Sequence, residues 1–157
     1  MALISDLEVG LARPDEAHRI AEMSRDFIEY GLGWKWTPAR ILRCQRDSAT
    51  NVAVARARDE LIGFAIMEYR EEEAHLLLFA VSATHRRRGV GSALLSWLEK
   101  TALTAGIGLI YLEARLRNSP AREFYHKHGY REIARVRGMY RGVEDGVRLA
   151  RDLWWQR

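Results

Sequence analysis

Arg86-Arg87-Arg88-Gly89-Val90-Gly91-Ser92 is the stretch of this chain whose residue types and spacing best suit chemistry. Glycines free a turn of side chains and expose its backbone N–H groups, and a helix starting there brings about half a positive charge to its end. Arginines beside such a turn add charge-assisted donors. The combination holds phosphate, and a diphosphate satisfies every part of it. Taken by itself, the run fits a solvated face or a nonspecific nucleic-acid patch equally well.

The elements around the run decide between these readings. Upstream, Val52 to Ala57, Leu61 to Tyr69 and Ala74 to Ser82 read as strands separated by Asp59-Glu60 and Glu71-Glu72-Glu73. The short polar breaks predict an antiparallel meander. Downstream, Leu94, Trp97, Leu98 and Ala102 recur at helical spacing between Gly91 and Ala105, with Gly106 as the stop. The arginine turn therefore joins a strand to a helix. Leu109 to Ala114 then reads as a buried strand, Asn118-Ser119-Pro120 opens a helix ended by Gly129, and Tyr130 to Val136 and Val147 to Trp154 supply two final strands. Before the meander, Leu7, Val9 and Leu11 alternate as a half-buried strand. Ala17, Ile20, Met23 and Phe27 stripe a helix ended by Gly31 and Gly33, and Thr37-Pro38 opens a second one.

The bulk properties set limits. A chain of 157 residues points to one domain over residues 1–157. Its 48% hydrophobic and 29% charged residues exclude a disordered chain. The net charge of +4 is spread along the sequence, which suits an anionic ligand better than a committed nucleic-acid binder. Cys44 stands alone, so neither an internal disulfide nor a cysteine metal cluster can form, and it reads as a core filler in a reducing compartment. Asp6 and Glu8 interrupt any leader-like stretch, and the apolar run Leu76 to Val81 is too short to span a membrane. The expectation is a cytoplasmic protein with no membrane partner.

On these residues the chain resembles the GNAT superfamily of N-acetyltransferases. The family's acetyl-CoA signature, Gln/Arg-x-x-Gly-x-Gly/Ala after a strand, is matched in full by Arg86-Arg87-Arg88-Gly89-Val90-Gly91. A second motif follows in order. Asn118-x-x-Ala121-x-x-Phe124-Tyr125, then His126-Lys127-His128-Gly129-Tyr130, resembles the family's Asn-x-x-Ala-x-x-Phe-Tyr-x-x-x-Gly-Phe. The Val-x-Pro that usually precedes the loop is Val81-Ser82-Ala83 here, so the entry turn lacks its proline but loses no ligand group. The likeness runs from the Val52 strand onward and is greatest to the bacterial ribosomal-protein N-terminal (alanine) acetyltransferases. It implies an α/β fold with a central, mostly antiparallel sheet of six to seven strands flanked by about four helices.

The resemblance also implies roles. Acetyl-CoA is the cosubstrate, an amine attacks its thioester directly, and no metal takes part. Arg86, Arg87, Arg88, Gly89, Val90, Gly91 and Ser92 would hold the pyrophosphate. Backbone groups of Phe79, Ala80 and Val81 would pair with the pantetheine arm, with the Val81 N–H facing the oxyanion, and Asn118 would touch the same arm. Tyr125 matches the family's general acid: a phenol with an ordinary pKa of about 10 stays protonated at neutral pH and can protonate a thiolate. Glu113 stands where the ribosomal-protein subgroup places a catalytic glutamate. His75 and Glu68 compete with it as base, and Glu113 could instead be a structural partner of Arg115 or Arg117. Tyr140 is a candidate for lining the amine pocket. Trp34 and Trp36 are candidates for its border or for sheet packing.

Three functions follow from this reading. An N-acetyltransferase acting on a protein N-terminus or a small amine leads. A noncatalytic acyl-CoA-binding module acting as a sensor is the alternative. A nucleic-acid module built on His85 to Arg88 ranks last, because no aromatic residue interleaves the arginines. Trp154 and Trp155 read as strand-face packing, one inward and one outward, the outward one a candidate homodimer contact.

Overall fold

In a computed structural model, which describes residues 6–155, a single seven-stranded sheet organises the chain. The elements are β1 (Leu7–Leu11), α1 (Ala17–Phe27), α2 (Pro38–Arg46), β2 (Thr50–Ala57), β3 (Glu60–Tyr69), β4 (Glu73–Val81), α3 (Val90–Thr104), β5 (Leu109–Arg115), α4 (Ser119–Lys127), β6 (Arg131–Tyr140) and β7 (Glu144–Asp152). The strand order is β1-β2-β3-β4-β5-β7-β6, and β4 with β5 is its parallel pair; the others run antiparallel. The mixed α/β architecture and the meander expected from the sequence are both present. No helix among the described residues is long and apolar enough to cross a membrane.

Two apolar layers sandwich the sheet. Leu94, Leu95 and Leu98 of α3 meet Met67, Leu76, Ile110 and Leu149 on one face. Ile20 and Met23 of α1, with Ile41 of α2, meet Phe64, Ile66 and Leu78 on the other. Local signals set the helix starts: Thr37 Oγ1 accepts from the Arg40 N–H at 3.3 Å, and Asn118 Oδ1 accepts from the Ala121 N–H at 3.2 Å.

The feature that creates the site is a β-bulge. Ile66 pairs with Leu78 and Met67 with Leu76, so Leu77 is an extra residue on β4. The insertion reverses the facing of the strand. Ala74 and Leu76 point to the α3 layer, whereas Leu78 and Ala80, of the same parity, point to the α1–α2 layer. Pairing of β4 with β5 stops at the same place, at Leu76 opposite Leu112. Beyond it the two strands diverge and leave an open V.

Four boundaries differ from the sequence reading. Helix α1 stops at Phe27 rather than near Gly31, because the carbonyls of Ile28 and Tyr30 are taken by Arg115 at 2.7 and 2.6 Å instead of by a further helical turn. β6 runs on past Val136 to Tyr140 through a register shift that Gly138 absorbs at φ 63°, and β7 begins at Glu144, before Val147. β7 also ends at Asp152, so Trp154 and Trp155 lie past the strand. Leu153 is the buried residue there, and both tryptophans are exposed, Trp154 lying against Gly108. The expectation of one inward tryptophan is corrected accordingly. Cys44 is half-buried against the α1–α2 layer.

Candidate active site

The V between β4 and β5 is the floor of a cleft of about 360 Å³. Leu76 to Phe79 form one wall and Leu112 to Arg115 the other, and α4, the α1–α2 loop and the tip of the β6–β7 hairpin close over them. A larger hollow of about 520 Å³ lies at the far end of the sheet, lined by Glu71, Glu72, Glu73, Asp152 and Trp154, and holds none of the motif residues.

The arginine turn sits at the end of the bulged strand. Arg87 and Gly89 both adopt left-handed conformations, at φ 63° and 82°, and α3 starts immediately after. The Ala93 N–H is the first in α3 to bond within the helix, to Gly89 O at 3.0 Å; those of Val90, Gly91 and Ser92 point out of the helix end. Arg86 turns back, its Nε donating to Val81 O at 3.2 Å and its guanidinium lying 5.6 Å from the Phe27 ring centroid. Arg87 and Arg88 are exposed, with no ion-pair partner among the described residues.

Two features of this turn differ from the sequence reading. A β-carbon on Gly91 would meet two Phe124 ring atoms at 3.1 Å, so this glycine answers to the packing of α3 on α4 as well as to any anion. The Ser92 hydroxyl is paired with His128 Nε2 at 2.9 Å. Since His128 Nδ1 donates to Phe124 O at 2.8 Å, Nε2 of the neutral ring accepts from Ser92.

Tyr125 projects from α4 to the cleft, among the rings of Phe79, Phe124 and Tyr130. It is 6% exposed, and its hydroxyl makes no hydrogen bond among the described residues. Burial, with a smaller contribution from Tyr140, pushes its pKa well above the ordinary phenol value. Tyr140 lines the same cleft and is pushed up to about 12, again chiefly by burial. Asn118 lines it too, its Oδ1 committed to capping α4.

Glu113 lines the β5 wall of the V, directly after the last paired residue, Leu112. Its Oε1 is 2.6 Å from His75 Nε2, and its Oε2 accepts from Arg148 Nε at 2.9 Å. Burial acts to raise its pKa, but the hydrogen bonds from His75 and Arg148 outweigh it, so the carboxyl sits below the usual glutamate value. An ionised carboxylate has no proton to give, so His75 Nε2 carries the hydrogen and donates it. The His75 ring stacks on Tyr111 at 4.3 Å. The structure thus joins two of the three base candidates into one unit. Glu68 stays outside the cleft, paired with Arg70 at 3.3 Å. Neither Arg115 nor Arg117 is the partner of Glu113: both reach Glu144, at 3.2 and 3.9 Å.

Two residues have organising roles that the sequence reading did not assign. Arg115 is 8% exposed, binds Ile28 O and Tyr30 O, pairs with Glu144, and stacks 3.8 Å from the Tyr30 ring centroid. It fastens the α1–α2 loop and β7 to β5. Glu29 is equally buried, and its carboxylate accepts from Ser24 Oγ, Lys35 N and Trp36 N, which folds the loop back on itself. Trp36 lines the cleft under Arg40, while Trp34 donates to Ala21 O and rests on α1. A charged residue directly after a buried strand would have flagged Arg115; nothing local marks Glu29.

The sequence profile described as the acetyltransferase (GNAT) family matches residues 16–130. Over 97 residues the chain is 34% identical to the ribosomal protein bS18-alanine N-acetyltransferase of Salmonella typhimurium, covering 60% of this chain and 66% of that protein. Over 83 residues it is 35% identical to the N-alpha-acetyltransferase of Sulfurisphaera tokodaii, covering 52% of this chain and 50% of that protein. The chain thus spans between half and two thirds of these curated relatives. The crystal structure of Arabidopsis thaliana NAA60 in complex with acetyl-CoA shares the fold, with a TM-score of 0.81 and 18% identity over 95% of this chain and 99% of that one.

Proposed function

The chain belongs to the acetyltransferase (GNAT) family, and from that premise we propose that it transfers the acetyl group of acetyl-CoA to a primary amine, as one cytoplasmic domain over residues 1–157. The acceptor is a protein N-terminus or a small amine. One observation carries the reading: the bulge at Leu77 opens a cleft with a buried phenol, Tyr125, on one side and an ion-paired carboxylate, Glu113, on the other.

The residues present suit acetyl-CoA as a substrate. The edge of β4 beyond Leu76 pairs with no strand on the β5 side, so an extended amide chain can add there by strand-like hydrogen bonding. The outward amides of Val90, Gly91 and Ser92, with Arg87 and Arg88, suit a diphosphate. Arg86 braces the turn through Val81 O, and the Asn118 amide NH₂ is left to meet the pantetheine arm. Val81, whose N–H the family resemblance assigns to the oxyanion, does not line the cleft that Tyr125 and Glu113 share.

The chemistry is proton management. Glu113, held by His75 and Arg148, takes the proton from the acceptor nitrogen as the C–N bond forms. Tyr125 gives its proton to the sulfur as the C–S bond breaks. The products are the amide and the free thiol; Glu113 releases its proton to water and Tyr125 regains one from it. The test is a thiol-release assay with acetyl-CoA and a panel of peptide and small-molecule amines. Turnover supports the reading, and CoA binding without turnover on any amine would instead mark a noncatalytic module.

A further inference from the structure

The charges lining the cleft do not balance. Glu29 is held by a hydroxyl and two backbone amides, Glu113 by His75 and Arg148, and Arg115 by Glu144 and two carbonyls. Two further cations line the same cleft: Lys35 on the α1–α2 loop and Arg141 at the tip of the β6–β7 hairpin. Both are exposed, and neither side chain has a hydrogen-bond or ion-pair partner among the described residues.

They come from the two segments that close over the cleft, and the hairpin tip reaches the loop. Arg141 Nη1 lies 3.5 Å from the place of a β-carbon on Gly33, two residues before Lys35. The turn itself does not call for arginine. Arg141 and Gly142, at φ 56° and 73°, are the central residues of a tight turn closed by the Val143 N–H on Tyr140 O at 3.0 Å, and glycine or asparagine adopts that conformation more cheaply. The comparable arginine of the β2–β3 turn, Arg58 at φ 52°, is paired with Asp6 at 3.0 Å.

We infer that Lys35 and Arg141 form an anion-recognition pair at the acceptor mouth, so that the amine acceptor is a peptide N-terminus followed by an acidic side chain. This rests on the acetyltransferase reading and names its substrate class. Depth favours a peptide: Tyr125 is 6% exposed while Lys35 and Arg141 are exposed, so the reacting amine lies deeper in the cleft than an anion that pairs with these cations. A small amine carrying its own carboxylate would bring the negative charge inward, toward Glu113.

The experiment compares kcat/KM for two peptides that differ only in Asp or Asn at the second residue. Two exposed ion pairs correspond to a preference for the Asp peptide of about three- to tenfold, shrinking with added salt. Lys35→Gln combined with Arg141→Asn, which keeps a residue tolerant of positive φ, brings the two peptides to equal kcat/KM. Arg141→Glu moves the preference toward a Lys-bearing peptide. Equal rates in the wild type, or a preference that survives the double variant, overturn the inference while the acetyltransferase reading stands. Absence of turnover on both peptides and on small amines overturns both.

Discussion

Tyr125→Phe deletes one oxygen, and the surroundings of that oxygen set what the deletion does. The hydroxyl has no hydrogen-bond partner among the described residues, so no donor or acceptor is left stranded. Stability should therefore stay within about 0.5 kcal/mol of the wild type. General-acid catalysis contributes on the order of 10²- to 10⁴-fold. A thiol with a pKa of about 8.5 is a tolerable leaving group as its anion near neutral pH, which places the effect at the low end. The expected result is a fall in kcat of about a hundredfold, or about 2.7 kcal/mol of barrier, at unchanged Tm and CoA affinity. Steady-state thiol release, CoA titration and thermal denaturation read the three quantities. Tyr130→Phe is the control. Its hydroxyl donates to Glu99 at 2.8 Å, and the ring is 1% exposed, so this variant should lose about 1 kcal/mol of stability and keep its kcat. A Tyr125→Phe enzyme within threefold of wild-type kcat would refute the assignment of Tyr125 as the acid.

Gly91→Val drives a branched side chain into the Phe124 ring, whose atoms already lie 3.1 Å from an added β-carbon, and should cost about 1–3 kcal/mol by thermal denaturation. Arg88→Ala removes one exposed cation beside the α3 amides. CoA affinity by calorimetry should drop no more than about fivefold, with the gap closing at high salt. Glu132 is lowered from 4.5 to about 2, first by its hydrogen bond from Arg122. A depressed carboxyl contributes stability above its unfolded pKa and loses it as pH falls through the folded one. Urea unfolding of Glu132→Gln should therefore show a deficit at pH 7 that disappears as pH falls from 4.5 toward 2.

The sequence was legible where structure is local. The helix caps at Thr37 and Asn118, the alternation of β1 and the polar breaks that divide β2, β3 and β4 lie in neighbouring residues, and the structure repeats them. The bulge at Leu77 was not legible. Leu76, Leu77, Leu78 and Phe79 are all apolar, so their pattern does not say which face each takes, and the reversal is visible only in the pairing with β3. Arg115 and Glu29 escaped for a related reason. Their partners lie on distant segments or on backbone groups, such as Tyr30 O, 85 residues from Arg115. The Glu113–His75 contact joins strands whose register could not be assigned from spacing; the motif supplied one partner and the sheet the other.

The environments of the two proton-handling groups have a consequence for the acceptor. Tyr125 is driven upward by burial, and Glu113 is driven below the glutamate value by His75 and Arg148, so the two sit far apart and can keep separate roles. A carboxylate so depressed strips a proton from a free ammonium against a steep gradient. It accepts one readily from nitrogen that has begun to bond to the acetyl carbon, because that nitrogen has become acidic. The amine must therefore arrive already neutral. At pH 7.5 roughly a quarter of an α-amine of pKa about 8 is neutral, against about one in a thousand for a lysine of pKa about 10.4. That difference, about two hundredfold, arises from the acceptor rather than from any contact, and it favours an N-terminal amine in this cleft. Placing the anion-binding cations outside the reacting centre preserves the advantage. A cation beside the amine would lower the pKa of any acceptor and narrow the gap between lysine and α-amine, whereas Lys35 and Arg141 lie at the exposed mouth, where they can select the peptide.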